Sequence, residues 1–383
     1  MKILFKQNRS LGRHAGGVLV CDDLPAKMPL IVSGGEPQSA WVEGVSYKHL
    51  EKIGKFVKFD ILGLETLRLI ERTIIQILKK SNVEPTFANV RKWYNENMSL
   101  TYSNIDLNDQ NVYEYVYHDG RFPGVFQCTS TGAQRLFRKA KPTSILDIAM
   151  LTSIYRPGPL AANVDKLYLK AKNEDEQFDW GDKRINELLK ETYGLLIFQE
   201  QVMMLAEKVA GFPKDRCDEV RRAIMKRSIS GGDAAKAKVD EMKSSFVVGA
   251  VKNGYAEKVA SDLYEKISYF SGYGFNASHA TAYAIDSYYC AWLLKYYEPQ
   301  WLVAYLESMS NNPENKAEAF GYVREMDYQF VRIDVNSADV SWTILPGKKF
   351  MPSFLSCKGI GEAAVEEIKM MRPYTSIEDL LWN

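Results

Sequence analysis

Gly272, Gly274, Asn276, Ser278 and His279 stand directly ahead of a long aromatic segment, and their types suit the binding of an anion. Glycines on either side of Tyr273 permit close backbone approach and unusual φ angles. Asn276 or Ser278 supplies an N-cap for the helix that follows, and polar groups at a helix N-terminus attract negative charge. A second candidate is Arg221-Arg222-Ala223-Ile224-Met225-Lys226-Arg227. On a helix Arg222 and Lys226 share a face, and repulsion among four cations favours an anionic partner; the plain alternative is a solvated face with Glu219 pairing Arg222. Arg156 precedes Pro157-Gly158-Pro159, so it is driven out of the helical region and its guanidinium is rigidly presented from a loop. Arg13 and His14, set between Gly12 and Gly16-Gly17, can meet phosphate with side chain and backbone together, or form a tight turn into a strand. Lys358-Gly359-Ile360-Gly361 lets backbone N–H groups approach a phosphate closely. Asp60 closes a VKFD strand ahead of Gly63; a carboxylate there can hold a divalent cation or cap the next helix.

The elements that must position these residues follow from periodicity. Residues 1–80 read as α/β. Val18-Leu19-Val20 is one strand, and Val57, Phe59 and Ile61 alternate with Lys58 and Asp60 in another. Leu64, Leu67, Ile70, Ile74 and Ile77 then recur at helical spacing. Residues 81–315 read as mostly helical, with loops at Arg156–Pro159, Asn173–Asp182 and Ser228–Asp233, the last read as mobile. A helix starting at Pro213 carries the basic cluster. From Ile285, the spacing of Tyr289, Trp292 and Tyr296 predicts a helix that ends at Glu298-Pro299. Residues 316–383 form a small mixed unit with a strand over Phe330–Val335 and a glycine hairpin at 359–361.

Bulk properties narrow the class. Hydrophobic content of 46% and charged content of 25% are those of a soluble globular protein of two or three domains. The net charge of +1 announces no nucleic-acid binder, but local charge does. Arg121, Arg135, Arg138, Lys139, Lys141 and Arg156 share their stretch with one acid, Asp147. Lys214 to Arg227 holds six basic residues against three acids. Five scattered cysteines without a CxxC, beside four histidines, exclude a zinc cluster by spacing and suit a reducing compartment. The apolar run of MKILFKQNRS is too short for a signal peptide and nothing approaches a membrane span, so the expected location is cytoplasmic, with no membrane partner.

The motifs together resemble the bacterial C-family replicative DNA polymerases, the polymerase III alpha subunits. SGYGFNASH resembles the family's GYGFNKSH fingers signature, with Ala277 in place of its lysine. VKFDILGLETL is similar to VKFDFLGL, GRHAGG to GKHAGG, and IYRPGPL to RPGPL. RRAIMKR resembles RRAMGKK with Met225 in place of a glycine; ETYGLLIFQEQV resembles PTYGIILYQEQVM, and GVFQ matches as it stands. Gln127 and Gln199 are assigned no chemical role, Gln199 and Gln201 being read as making local hydrogen bonds. KGIGEA resembles a helix-hairpin-helix.

The resemblance implies an α+β, predominantly helical fold: the C-terminal part of a mixed-sheet palm over 1–80, a large helical fingers domain over 81–315, and a helix-hairpin-helix region over 316–383. It implies Asp60 as a catalytic Mg²⁺ ligand in two-metal nucleotidyl transfer. Arg13, His14, Arg156, Arg221, Arg222, Lys226, Arg227, Asn276, Ser278 and His279 would hold the dNTP and phosphates, and Lys358, Gly359 and Gly361 would hold primer-template DNA. The family's PDxD carboxylates have no counterpart, since Asp22-Asp23, Asp106, Asp109 and Asp334 lie in other segments. The expectation is a polymerase fragment that needs a second fragment carrying the PDxD palm and thumb, as from a phage-like split gene, with any sliding-clamp contact made through a region not present here. The alternatives are a non-catalytic remnant that binds primer-template or nucleotide, and a helical protein whose basic helix meets another polyphosphate.

Overall fold

The computed structural model describes residues 16–33, 35–40, 56–61, 63–102, 104–174, 176–230, 233–270, 274–309 and 313–382. The chain divides into two compact units, Met1–Glu65 and Thr66–Asn383.

In the first unit, β1 (Gly17–Val20) pairs antiparallel with β4 (Val57–Asp60), with Gly17 opposite Asp60. Ile61 N–H extends the ladder by donating to the Gly16 carbonyl at 2.7 Å. A short helix α1 (Leu24–Lys27) is capped by Asp23, and β2 (Leu30–Ser33) pairs antiparallel with β3 (Glu36–Ser39). The β1–β4 register places Val18 across from Phe59 and Val20 across from Val57 on one face. All four side chains are about half exposed, so this apolar face has little cover.

The second unit begins on α2 (Glu65–Lys80), whose Leu69, Ile70, Thr73, Ile74 and Ile77 are buried at helical spacing. Next come α3 (Phe87–Asn97) and a short α4 (Gln110–Val112) that runs into a π-helical turn, Tyr113–His118. Then follow α5 (Thr131–Ala140), α6 (Ile145–Ile154), α7 (Pro157–Ala161), α8 (Val164–Asn173), α9 (Lys183–Leu188), α10 (Gln199–Lys208), α11 (Lys214–Ser230), α12 (Asp233–Lys252), α13 (Glu257–Phe270), α14 (Ala277–Tyr296), α15 (Glu298–Ser308) and α16 (Pro313–Glu325). A three-stranded sheet of order β5–β7–β6 is built from Gln329–Phe330, Lys349–Met351 and Thr343–Leu345. The chain then forms α17 (Glu362–Met370) and α18 (Ile377–Trp382).

The central packing is that of α14 on α6. Ala280, Ala284, Ser287 and Ala291 are buried along α14, and small side chains at a spacing of three and four let two helices approach closely. Ser287 Oγ donates to the Phe126 carbonyl at 2.8 Å and lies 3.0 Å from the Tyr117 hydroxyl, so a polar group in this core is satisfied. A second apolar cluster joins α9 to α13 through Val202, Leu205, Phe246, Leu263 and Tyr264.

Three expectations change in detail. Residues 157–159 are the first turn of α7 rather than a loop, because proline is well placed at N1, where no helical N–H is needed. Arg156 remains extended, at φ −144° and ψ 154°, as its N-cap. Residues 228–230 belong to α11 and Asp233 starts α12, so only 231–232 of the expected loop lie outside the described residues; no helix breaker precedes Gly231. Of the expected strand 330–335 only Phe330 pairs within β5, and at Asp334 the chain turns as its carboxylate accepts from Asn336 N–H and Ser337 Oγ.

A buried ion pair ties α6 to α8. Asp147 accepts from Lys172 Nζ at 2.6 Å, Tyr168 Oη at 2.9 Å and Thr143 N–H at 2.9 Å. Burial alone would raise its pKa, but the hydrogen bonds and charge of Lys172, with those of Thr143 and Tyr168, outweigh burial and hold it below the ordinary value. Asp147→Asn leaves the Lys172 ammonium, 11% exposed, without its counter-charge, and is expected to cost about 3 kcal/mol in denaturant unfolding. Because the folded carboxyl is depressed, its stabilisation is complete above the unfolded pKa near 3.8 and is lost as pH falls through the folded value. The wild-type chain should therefore lose this increment below about pH 4 while Asp147→Asn does not, as unfolding curves at pH 3 and pH 6 would reveal.

Candidate functional site

The site is built where the start of α10 meets the turn before α14. Phe198 and Phe275 form an isolated parallel bridge. Phe275 N–H donates to the Ile197 carbonyl at 3.1 Å, and Gln199 N–H donates to the Phe275 carbonyl at 2.8 Å. Gln201 supports the same strand-to-helix corner, its Oε1 accepting from the N–H groups of Ile197 and Phe198 at 2.7 and 2.8 Å. Its Nε2 donates to Thr192 Oγ1 and the Leu195 carbonyl, which leaves this buried amide fully used.

Asn276 is the N-cap of α14, as its type predicts. Its Oδ1 accepts from His279 N–H and Ser278 Oγ, both at 2.8 Å. Its Nδ2 donates to Glu200 Oε1 at 2.7 Å, and Ala277 N–H donates to Glu200 Oε2 at 2.8 Å. The anion seated on this helix N-terminus is thus a side chain of the protein itself. Ser278 and His279 remain exposed, with His279 packed between Phe275 and Tyr283 at centroid distances of 5.4 and 4.1 Å.

Arg156 comes to the same turn from α7, its guanidinium 4.7 Å from the centre of the Phe275 ring. The basic helix α11 arrives from the other side. Arg221 Nη1 donates to Gln199 Oε1 at 3.3 Å, while Gln199 Nε2 donates to the Gly274 carbonyl at 2.9 Å. Arg221 Nε donates to Asp218 Oδ1 at 2.8 Å and Arg222 Nε donates to Asp218 Oδ2 at 2.6 Å. Those charge-assisted bonds, to Arg222 and then Arg221, hold the Asp218 carboxyl below the ordinary value. The partner of Arg222 is thus Asp218 and not the expected Glu219. From Asp218 the arginines lie at i+3 and i+4, so one carboxylate reaches both. Arg222 stays largely exposed.

Gly274 has a structural reason that its neighbours do not share. Its φ is not positive, so the glycine is not needed for an unusual φ. A Cβ there would lie 2.9 Å from the ring of Phe270, a side chain only 2% exposed. Gly272 lies outside the described residues.

The structure therefore brings Arg156, Arg221, Arg222, Asn276, Ser278 and His279 into one neighbourhood of the second unit. Arg13 and His14 lie outside the described residues, as do the side chains of Asp60, Lys226 and Arg227. The backbone of Asp60 ends β4 as expected, and that of Lys226 and Arg227 continues α11. Lys358, Gly359 and Gly361 are exposed in the C-terminal region, where Gly359 takes φ +94° and Gly361 begins α17. The element before this hairpin is a single 3₁₀ turn, Phe354–Ser356. Among the described residues no three His, Cys, Asp or Glu side chains gather as a metal-binding set. Those residues alone do not fit a two-metal centre.

Gln199, Glu200 and Asp218 were missed by sequence reasoning. Their signal was present but weak: a polar Gln-Glu pair at the start of a helix, and an acid three and four residues ahead of two arginines.

Residues 70–254 of this helical body match the family described as Bacterial DNA polymerase III alpha subunit finger domain, and this part of the chain is a polymerase III alpha fingers region. Over nearly its whole length the chain is similar to DNA polymerase III alpha subunits. The DNA polymerase III subunit alpha of Campylobacter jejuni is 32% identical over 377 residues, covering 97% of this chain and 29% of that protein. Those of Neisseria meningitidis (377 residues, 97% of this chain) and Treponema pallidum (380 residues, 98%) are each 30% identical, over 30% of their own length. The chain thus spans about three tenths of the length of these relatives.

Gly274→Ala is expected to force residue 274 away from the Phe270 ring at the end of α13 and to destabilise the fold by about 1–3 kcal/mol. Thermal unfolding measures it, and an unchanged midpoint would contradict the packing described.

Proposed function

We propose that this chain supplies the fingers, with part of the palm, of an enzyme that adds dNTPs to a primer 3′-hydroxyl. The observation that carries the reading is the meeting of Arg156, the Asn276–His279 turn and the Arg221–Arg222 helix in one neighbourhood, three of the segments in which the sequence resembles polymerase III alpha subunits. Arg221, Arg222, Lys226 and Arg227 would hold the triphosphate and stabilise the leaving pyrophosphate. Arg156 would take a phosphate of the nucleotide or of the template strand while resting on Phe275. Asn276, Ser278 and His279 would line the nucleotide. Arg13 and His14 would contact phosphate from the palm side, and Lys358, Gly359 and Gly361 would hold the DNA backbone without sequence preference.

Asp60 would contribute one carboxylate to a Mg²⁺ site. Bound Mg²⁺ in such enzymes stabilises charge on the attacking and leaving oxygens. No PDxD motif occurs in these 383 residues, so the remaining carboxylates would come from other sequence, in the same polypeptide or another. The apolar face of the β1–β4 ribbon supports the reading that more palm structure packs on it, because a two-stranded ribbon is marginal alone. The same reading assigns the chain to the cytoplasm; no helix among the described residues is long and apolar enough to cross a membrane.

Two measurements test this. Primer extension is expected only when a polypeptide carrying the PDxD palm and thumb is added, and robust extension by these 383 residues alone would contradict the reading. Fluorescence titration of a dNTP into the chain with primer-template should give saturable binding that Arg222→Ala weakens roughly tenfold or more. A chain that binds neither DNA nor dNTP at low salt, where phosphate contacts are strongest, would leave the reading without support.

A further inference from the structure

We infer that Gln199 is a positioning residue that couples the basic helix α11 to the turn before α14, so that the two phosphate-facing elements move as one. The inference rests on the reading of the site as a nucleotide site and goes beyond it, because Gln199 is not itself placed on the ligand.

Its amide is used at both ends. Oε1 accepts from Arg221 Nη1 at 3.3 Å, and Nε2 donates to the Gly274 carbonyl at 2.9 Å. Its backbone N–H donates to the Phe275 carbonyl at 2.8 Å. Arg221 is in turn fixed by Asp218, which also holds Arg222. A continuous hydrogen-bonded path therefore runs from Arg222 through Asp218, Arg221 and Gln199 to Gly274, two residues before the Asn276 cap. The next residue, Glu200, closes the far side of the same turn on Asn276 Nδ2 and Ala277 N–H. Only a side chain with a donor and an acceptor about one amide apart can serve Arg221 and a carbonyl at once. A carboxylate at position 199 would keep the bond to Arg221 and repel the Gly274 carbonyl. A thioether of the same length would keep neither.

The backbone pairing of 197–199 with 275 does not depend on this side chain, so Gln199→Met should fold with nearly the wild-type Tm. In the full chain with primer-template, Gln199→Met is expected to weaken dNTP binding about tenfold while primer-template affinity is unchanged. Gln199→Glu should recover part of the loss. Gln199→Met and Arg221→Met should be strongly non-additive for dNTP, because both cut one path. Equal dNTP affinity in wild type and Gln199→Met, or simple additivity with Arg221→Met, would overturn the inference. Amide hydrogen exchange in the ligand-free chain decides it independently of nucleotide. Arg221→Met should accelerate exchange across Phe275–Ala280, and unchanged exchange there overturns the coupling. Absence of dNTP binding by the wild-type chain, with exchange still accelerated in Arg221→Met, would refute the proposed function and leave the coupling standing.

Discussion

The candidate site depends on the register between the start of α10 and the turn before α14. Two backbone hydrogen bonds around the Phe198–Phe275 bridge set that register. Every nearby side-chain bond is drawn to suit it: Gln201 to the backbone of 197 and 198, Gln199 to Gly274, and Glu200 to the first turn of α14. A shift of one residue would face Phe275 away from Arg156 and take Asn276 off Glu200. These bonds join segments up to 77 residues apart, so the described part of the turn is held by tertiary contact rather than by its own sequence.

Buried polar anchors hold the helices that carry this turn. Ser287 ties the middle of α14 to Phe126, Trp301 Nε1 donates to the Pro123 carbonyl at 2.7 Å, and Asp147 joins α6 to α8. Each buries a polar group with its partner, so each contributes to a unique packing more than to raw stability. The exposed end of the arrangement is cationic, while the structural end is closed by Asp218 and Glu200. Asp218 offsets the repulsion between Arg221 and Arg222 that would otherwise disfavour the folded cluster.

Much of this was legible from residue types. The strand ending at Asp60, the helix after Gly63, the cap at Asn276, the extended Arg156 and the break at Glu298-Pro299 all follow from local rules, and all are present. What escaped was set by tertiary contact. Gly274 is required by the ring of Phe270, which a Cβ at 274 would meet at 2.9 Å. Gln199 has its partners 22 and 75 residues away, and no period in the sequence points to them. The reach of Asp218 to both arginines follows from spacings of three and four but was overlooked, since attention went to Glu219 as the partner of Arg222. The C-terminal strand was read too long because alternation alone does not show that pairing with β7 stops at Phe330, ahead of the turn at Asp334.

The most direct test is to irradiate a photoreactive dNTP analogue on the primer-template-bound chain and map the attached peptides by mass spectrometry. The account predicts labelling of the segments that contain Arg222 and Asn276–His279, competed by ordinary dNTP. Labelling confined to other segments, or labelling in these that excess dNTP does not compete, would contradict it.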